Sequence, residues 1–495
     1  MSNSLNLGIT KIGDLLIHNK ITITEAGTID LDKIPLKIPP YQRPYKWTAK
    51  NAIQLLDDIE EAMTANKEVY RVGTLILHKN YNLDTQTWSY DIVDGQQRTI
   101  TFSLLLKCIC DESVNVNFLG ERLSNNAYNV CNVENNYRAL SRRMGNLADE
   151  KEKAVLRDYI ENHCELIVVI TENLSEAFQF FDSQNARGKA LYPHDLLKAY
   201  HLREMNDLEA DEMERIVEIW ENLNQRELAS LFSDYLYRIK EWVKGNRAYE
   251  LSEHNIDLFK GVTAKDNYPY AQFYKGAFSY ADDVNHSKVP FVTGIQKLNP
   301  FQINAPVVAG KAFFEYTKHY FDILADIQNN DKYEGYFIKG NEIVQTLDRR
   351  EYRNGVGNRI TRLMFDTAIL LYVDRFCPAI PSKTDSANLE QFIVFAFIWA
   401  YSMRAQYKNV GWQVAQNYVM GTASKDGVVN GFNIYKVIAE SDCPSNLISR
   451  LSDKIVPIET SKIRKVSGNV EEQDNGVFTQ YLYYFFRYHF WEGNP

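Results

Sequence analysis

The sequence predicts an α+β protein in which a mixed domain over residues 1–205 precedes a mainly α-helical half over residues 206–495. Three observations carry this. Apolar runs of strand length, Arg71–His78, Trp88–Val93 and Cys164–Ile170, all fall in the first part of the chain. After about Asp207, long stretches with helical periodicity take over (213–243, 306–327, 358–376 and 389–407) and strand-like runs thin out. The 495 residues are 45% apolar and 24% charged. That is ordinary globular chemistry, with enough apolar surface to offset chain entropy, so collagen-like and wholly disordered polymers are excluded.

Taken in order, Ile21–Thr24 reads as a strand and 49–65 as an amphipathic helix with Thr48 at its N-cap. The strand 88–93 runs straight into Asp94-Gly95-Gln96-Gln97-Arg98, and a helix pattern follows over 99–110. Six asparagines between Asn125 and Asn136 predict an exposed loop or a short helical excursion. The strand 164–170 precedes a helix over 175–182, a loop over 183–192 and a second helix over 193–205 begun by Pro193. The apolar run 392–403 is shorter than the roughly 20 residues a membrane span needs and reads as a buried helix. The aromatic tail 481–491 reads as core or interface area, which makes a homo-oligomer plausible. No export signal opens the chain, and six cysteines without a Cys-x-x-Cys pair indicate neither a disulfide framework nor a zinc ribbon. A cytoplasmic protein with no membrane association is expected.

With 55 Lys+Arg against 64 Asp+Glu, the formal charge of −9 argues against a protein that coats DNA non-specifically. The sequence lacks a Walker-type phosphate loop, a His-Glu-x-x-His helix, a Gly-x-Ser-x-Gly elbow and any Glu-x-Lys tripeptide. Gly355-Val356-Gly357 lacks the third glycine of a dinucleotide fingerprint and follows no strand.

What remains is the segment Asp94–Arg98. A turn that leaves a buried strand and opens a helix aims free N–H groups and the positive end of the helix dipole into one space, which suits an anion. Gly95 permits close backbone approach, Arg98 can fork onto phosphate oxygens, Gln96 and Gln97 can donate or position a water, and Asp94 can hold a divalent cation. The plainer alternative is a capped helix start in which Arg98 pairs with a carboxylate. Two further segments qualify. The proline-stiffened Ile38–Trp47 carries Gln42 and Arg43, and Phe181–Leu191 carries Asn185 and Arg187 ahead of Asp195-Leu196-Leu197-Lys198. Each could also be a polar connection and nothing more.

Together with Gly73-Thr74-Leu75, these segments resemble, in order, the GmrS-like (GmrSD-type) family of bacterial defence proteins over roughly residues 8–205. The resemblance implies a ParB/sulfiredoxin-like N-terminal domain that binds and hydrolyses a nucleoside triphosphate with Mg²⁺, in proteins that restrict or sense modified phage DNA. On it, Asp94, Gln97 and Arg98 are expected to be catalytic, with Asp94 also the metal ligand. Gln42, Arg43, Gly95, Gln96, Asn185 and Arg187 complete the nucleotide pocket. Tyr192-Pro193 departs from the capping Ser or Thr usual there. Two-module members end in an HNH-type nuclease. Here the nine histidines are scattered and none has a Pro three residues on, so a separate nuclease subunit is the expected partner. DNA is the other expected partner. Arg349, Arg350, Arg353, Arg359 and Arg362, five arginines in fourteen positions, offer a backbone contact or, equally, a solvated face with ion pairs. Lys462, Arg464 and Lys465 form a weaker patch.

Overall fold

The structure, a computed structural model, describes residues 5–24, 27–39, 42, 45–82, 86–110, 127–145, 150–173, 176–177, 180, 192–205, 208, 210–252, 254–287, 298–328, 341–348, 355–378, 381–407, 409–459, 487–488 and 491–492. Its contacts divide the chain into two compact units. One comprises Met1–Leu191 with Met205–Asn222, the other Tyr192–Glu204 with Leu223–Pro495. Instead of the single border expected at 205, the chain passes between units three times.

The first unit holds strands β1 (Asn6–Lys11), β2 (Lys20–Ile23), β3 (Gly27–Asp30), β4 (Leu36–Lys37), β5 (Tyr70–Asn82), β6 (Thr87–Asp94) and β7 (Cys164–Thr171). Five of them form one sheet in the order β1-β7-β5-β6-β4, and β2 pairs with β3 apart from it. β5 and β6 are an antiparallel hairpin with Ile76 opposite Asp94, whereas β5 runs parallel to β7. β6 and β7 flank β5 on its two sides and run antiparallel to each other, so no tight hairpin can join them and the chain between them bridges over β5 with helices. It contains α3 (Gln96–Ile109), α4 (Ala127–Gly145) and α5 (Glu150–His163). Alternation along the strands places Leu75, Leu77, Ile92, Leu166, Val168 and Ile170 in one core with residues of those helices. After the short α1 (Ile12–Leu16), α2 (Ala49–Thr64) adds Ala52, Leu55, Leu56, Ile59 and Ala62, spaced three and four apart. Its start is fixed as the sequence predicts, the Thr48 N–H donating to Oδ1 of Asn51 at 3.0 Å.

α3 begins three residues earlier than expected, so Gln96, Gln97 and Arg98 form its first turn rather than a loop. Of the asparagine-rich stretch, Asn129, Asn132, Asn135 and Asn136 lie in α4, so the helical alternative holds there, in a helix longer than a short excursion and with Asn136 fully buried. The helix expected over 175–182, the loop after it and the tail 481–491 lie wholly or mostly outside the described residues.

Among the described residues the second unit is mainly helical. The segments Val356–Phe376 and Lys383–Gln406 pack against each other, and the apolar run 392–403 is buried within the latter. The long pattern expected over 213–243 resolves into Ala210–Asn222, which belongs to the first unit, and a helix from Gln225 to Lys244 with a π turn at Leu231–Leu236. Two buried ionisable groups sit in this unit. The Lys240 ammonium donates to the Ala305 carbonyl at 2.6 Å, and burial lowers its pKa to about 7. Asp374 accepts from the Ile303 N–H at 2.9 Å and from the Tyr320 hydroxyl, yet burial pushes its carboxyl up to about 6. Among the described residues no helix is long and apolar enough to cross a membrane.

Arg362 leaves the surface cluster proposed for DNA. It is 8% exposed and pairs with the buried Asp366 at 2.7 Å and the half-buried Asp348 at 2.9 Å, so it neutralises these carboxylates instead of facing a phosphate. Arg359 is exposed, whereas Arg349, Arg350, Arg353 and the 462–465 patch lie outside the described residues.

Candidate functional site

The site grows from the junction of β6 and α3. Asp94 is the last residue of the strand, and Gly95 alone makes the turn. Gly95 has φ +98°, and an added Cβ would stand 3.0 Å from Leu75 Cδ1 and 3.1 Å from the Thr74 carbonyl. Only glycine meets both demands without strain. The N-cap of α3, Gly95, has no side chain with which to cap it, and the first turn carries no acidic residue. The first-turn amides lack intrahelical acceptors, so this end of the helix attracts negative charge.

Arg98 turns back over β5. Its guanidinium donates to the carbonyls of Val72 at 3.3 Å and Thr74 at 3.1 Å, and meets Asp94 Oδ2 at 3.4 Å. Between those two carbonyls lies Gly73, at φ +141°, where a Cβ would fall 1.6 Å from Arg98 Nη1. The missing side chain is what lets the fork lie flat on the strand. Asp94 and Arg98 are each about a quarter exposed, so both can still face a ligand.

Gln97 has a different part from the one expected. Its side-chain oxygen accepts the backbone N–H groups of Lys46 at 2.8 Å and Trp47 at 3.2 Å, so it ties the 45–47 segment to α3 instead of presenting that oxygen to a water. Gln42 donates to the carbonyls of Ile92 at 3.0 Å and Val93 at 2.6 Å, which brings the start of the proline-stiffened segment beside the end of β6. Gln96, like Gln97, is buried. The structure thus gathers Asp94, Gly95, Gln96, Gln97, Arg98 and Gln42. Arg43, Asn185 and Arg187 lie outside the described residues.

Sequence reasoning missed the support from α4. Asn136 donates to the Tyr45 hydroxyl at 2.7 Å and the Trp47 carbonyl at 2.8 Å, and Asn132, one turn away, donates to the Tyr45 carbonyl at 3.1 Å. Thr101 on α3 contacts the same hydroxyl at 2.7 Å. The i, i+4 spacing of the two asparagines was readable, but only for a helix. Asn136→Ala leaves the part-buried Trp47 carbonyl without this donor and should destabilise the protein by about 1–3 kcal/mol. Urea unfolding measures this, and a loss under about 0.5 kcal/mol would contradict the clamp.

Among the described residues no group of three or more His, Cys, Asp or Glu could hold a metal ion. Asp94 is the one carboxylate of the pentapeptide. Mg²⁺ is commonly held by one or two carboxylates together with substrate phosphates, and this donor set fits that mode but not a protein-only cage.

This strand, glycine and helix arrangement lies in a stretch, residues 22–202, that matches the family described as GmrSD restriction endonuclease, N-terminal domain. The chain therefore carries a GmrSD-type restriction-family N-terminal domain, which supports a role in phage defence and suggests an enzyme that interacts with DNA. Residues 212–465, more than half of the sequence, match the Family of unknown function (DUF7834), and the chain belongs to that family. A comparison with curated proteins gives no match.

Proposed function

We propose that the first unit binds and hydrolyses a nucleoside triphosphate, and that the protein is the sensor and regulatory subunit of an anti-phage, restriction-like system acting with DNA and a separate nuclease subunit. The observation that carries this reading is the start of α3 at Gly95, a residue without a capping side chain, beside the Asp94–Arg98 pair. The first-turn N–H groups, aligned with the positive end of the helix dipole, supply an anion cradle there. Arg98, already oriented by two strand carbonyls, is poised to clamp phosphate oxygens, with Arg43 as a second clamp and Gln42, Asn185 and Arg187 shaping the rest of the pocket. Asp94 would hold Mg²⁺ together with the phosphates, and the ion would supply neutralisation of the charge that develops on them. On this reading the protein works in the cytoplasm, where incoming DNA is met.

The test is phosphate release from each of the four common NTPs with Mg²⁺, with and without DNA. Asp94→Ala should lower turnover about a hundredfold or more while far-UV circular dichroism stays unchanged. Unchanged turnover in that variant would sink the assignment.

A second reading has its own support. Arg98 is engaged by backbone carbonyls and Gln97 by backbone amides, which is how a motif serves architecture. A non-catalytic DNA-binding or protein-docking module would bind nucleotide without turnover, or not at all, and the same assay separates the two.

A further inference from the structure

The helix Ala210–Asn222 has no basic side chain in its last turn. A helix C-terminus favours a cation, because its last carbonyls are unpaired and carry the negative end of the dipole. Here that cation comes from 175 residues upstream. The Lys46 ammonium pairs with the Glu221 carboxylate and donates to the Glu221 carbonyl at 3.4 Å. Lys46 is also fixed at its other end, where its backbone N–H donates to Gln97 in the first turn of α3 at 2.8 Å. Its neighbours are held as firmly, Tyr45 by Thr101, Asn132 and Asn136, and Trp47 by Gln97 and Asn136. One residue after Asn222 the chain passes into the second unit.

We infer that Lys46 is a relay which carries occupancy of the α3 N-terminus to the last turn of the 210–222 helix, and so to the peptide through which the chain enters the helical unit. The inference rests on the nucleotide-binding reading above. An anion seated on the first-turn amides of α3 acts on the turn that carries Gln97. Gln97 holds the backbone of Lys46, and Lys46 holds the end of the 210–222 helix. Lys46 is 41% exposed at its side chain and Glu221 10%, so the pair is half-buried, and the charge-reversed double variant is what separates loss of the relay from loss of stability.

Hydrogen exchange of the full chain tests it. Without nucleotide, Lys46→Met and Glu221→Gln should each speed exchange over residues 219–224 about threefold, and the charge-reversed pair K46E/E221K should restore it. With Mg²⁺ and each of the four NTPs, wild type should gain protection at residues 96–99 and also over 219–230. In K46M the first protection stays, with affinity within about twofold, while the second is lost, and the reversed pair recovers both. Protection of 219–230 in K46M equal to wild type overturns the relay. If wild type gains protection at 96–99 but never over 219–230, the relay alone fails. If no NTP protects 96–99, the nucleotide reading fails and takes the relay with it.

Discussion

Gly73→Ala should cut nucleotide turnover by about two orders of magnitude while leaving the chain folded. The added methyl would be placed 1.6 Å from Arg98 Nη1 and 2.8 Å from its Cζ, a position that no real atom pair adopts. The colliding group is the far end of a flexible side chain, so the guanidinium moves and the strand stays. In moving it gives up its bonds to the Val72 and Thr74 carbonyls and its contact with Asp94. The residual cost is the backbone strain of a residue with a side chain at φ +141°, about 1–3 kcal/mol. Steady-state kinetics with the preferred NTP, read beside thermal unfolding, checks this. Turnover equal to wild type in a folded G73A protein would mean that the placement of Arg98 is irrelevant to the chemistry.

The helical unit should grow more stable as pH rises from 7 to 9. Burial holds the Lys240 amine near 7, well below the ordinary lysine value of 10.5, with Lys244 lowering it further and Asp374 and Glu241 opposing. Between those two values the unfolded chain carries a proton that the folded unit does not, so raising the pH favours the folded state by about 1.4 kcal/mol per unit, or roughly 2–3 kcal/mol from pH 7 to 9. Asp374 acts at lower pH and in the other sense. Its folded value of about 6 lies above the ordinary 3.8, so its contribution is complete below pH 4 and is lost as pH rises through 6. Stability from these two groups is therefore lowest between pH 6 and 7. Urea midpoints at pH 7 and pH 9 for wild type and Lys240→Met provide the check. The rise should appear in wild type and vanish in K240M, and an equal rise in both would exclude the amine as its source.

How much of this was written in the sequence differs from residue to residue. The turn between β6 and α3 was legible because a buried strand, an Asp-Gly pair and a helical pattern stood side by side. The early start of α3 was not, since Gln96 and Gln97 read equally well as loop and Gly95 is an unremarkable cap. α4 hid behind the weak helix propensity of asparagine, which here is outweighed by tertiary bonds to Tyr45 and Trp47. Gly73 stood in the family resemblance, yet nothing local signals that an arginine from another element lies across it. Arg362 is the opposite case. Asp366, four residues on, was a visible partner and already favoured an internal pair over a phosphate contact.

The interleaved path of the chain sets limits on dissecting it. Cutting after residue 205 discards the 210–222 helix, and with it Glu221, the partner of Lys46, while retaining the 193–203 helix, whose buried Leu197 and Leu202 belong to the other unit. A shortened N-terminal fragment would thus carry an orphaned apolar flank and a missing brace. Poor solubility or silence in such a fragment would reflect where the scissors fell, and activity is better sought in the undivided polypeptide.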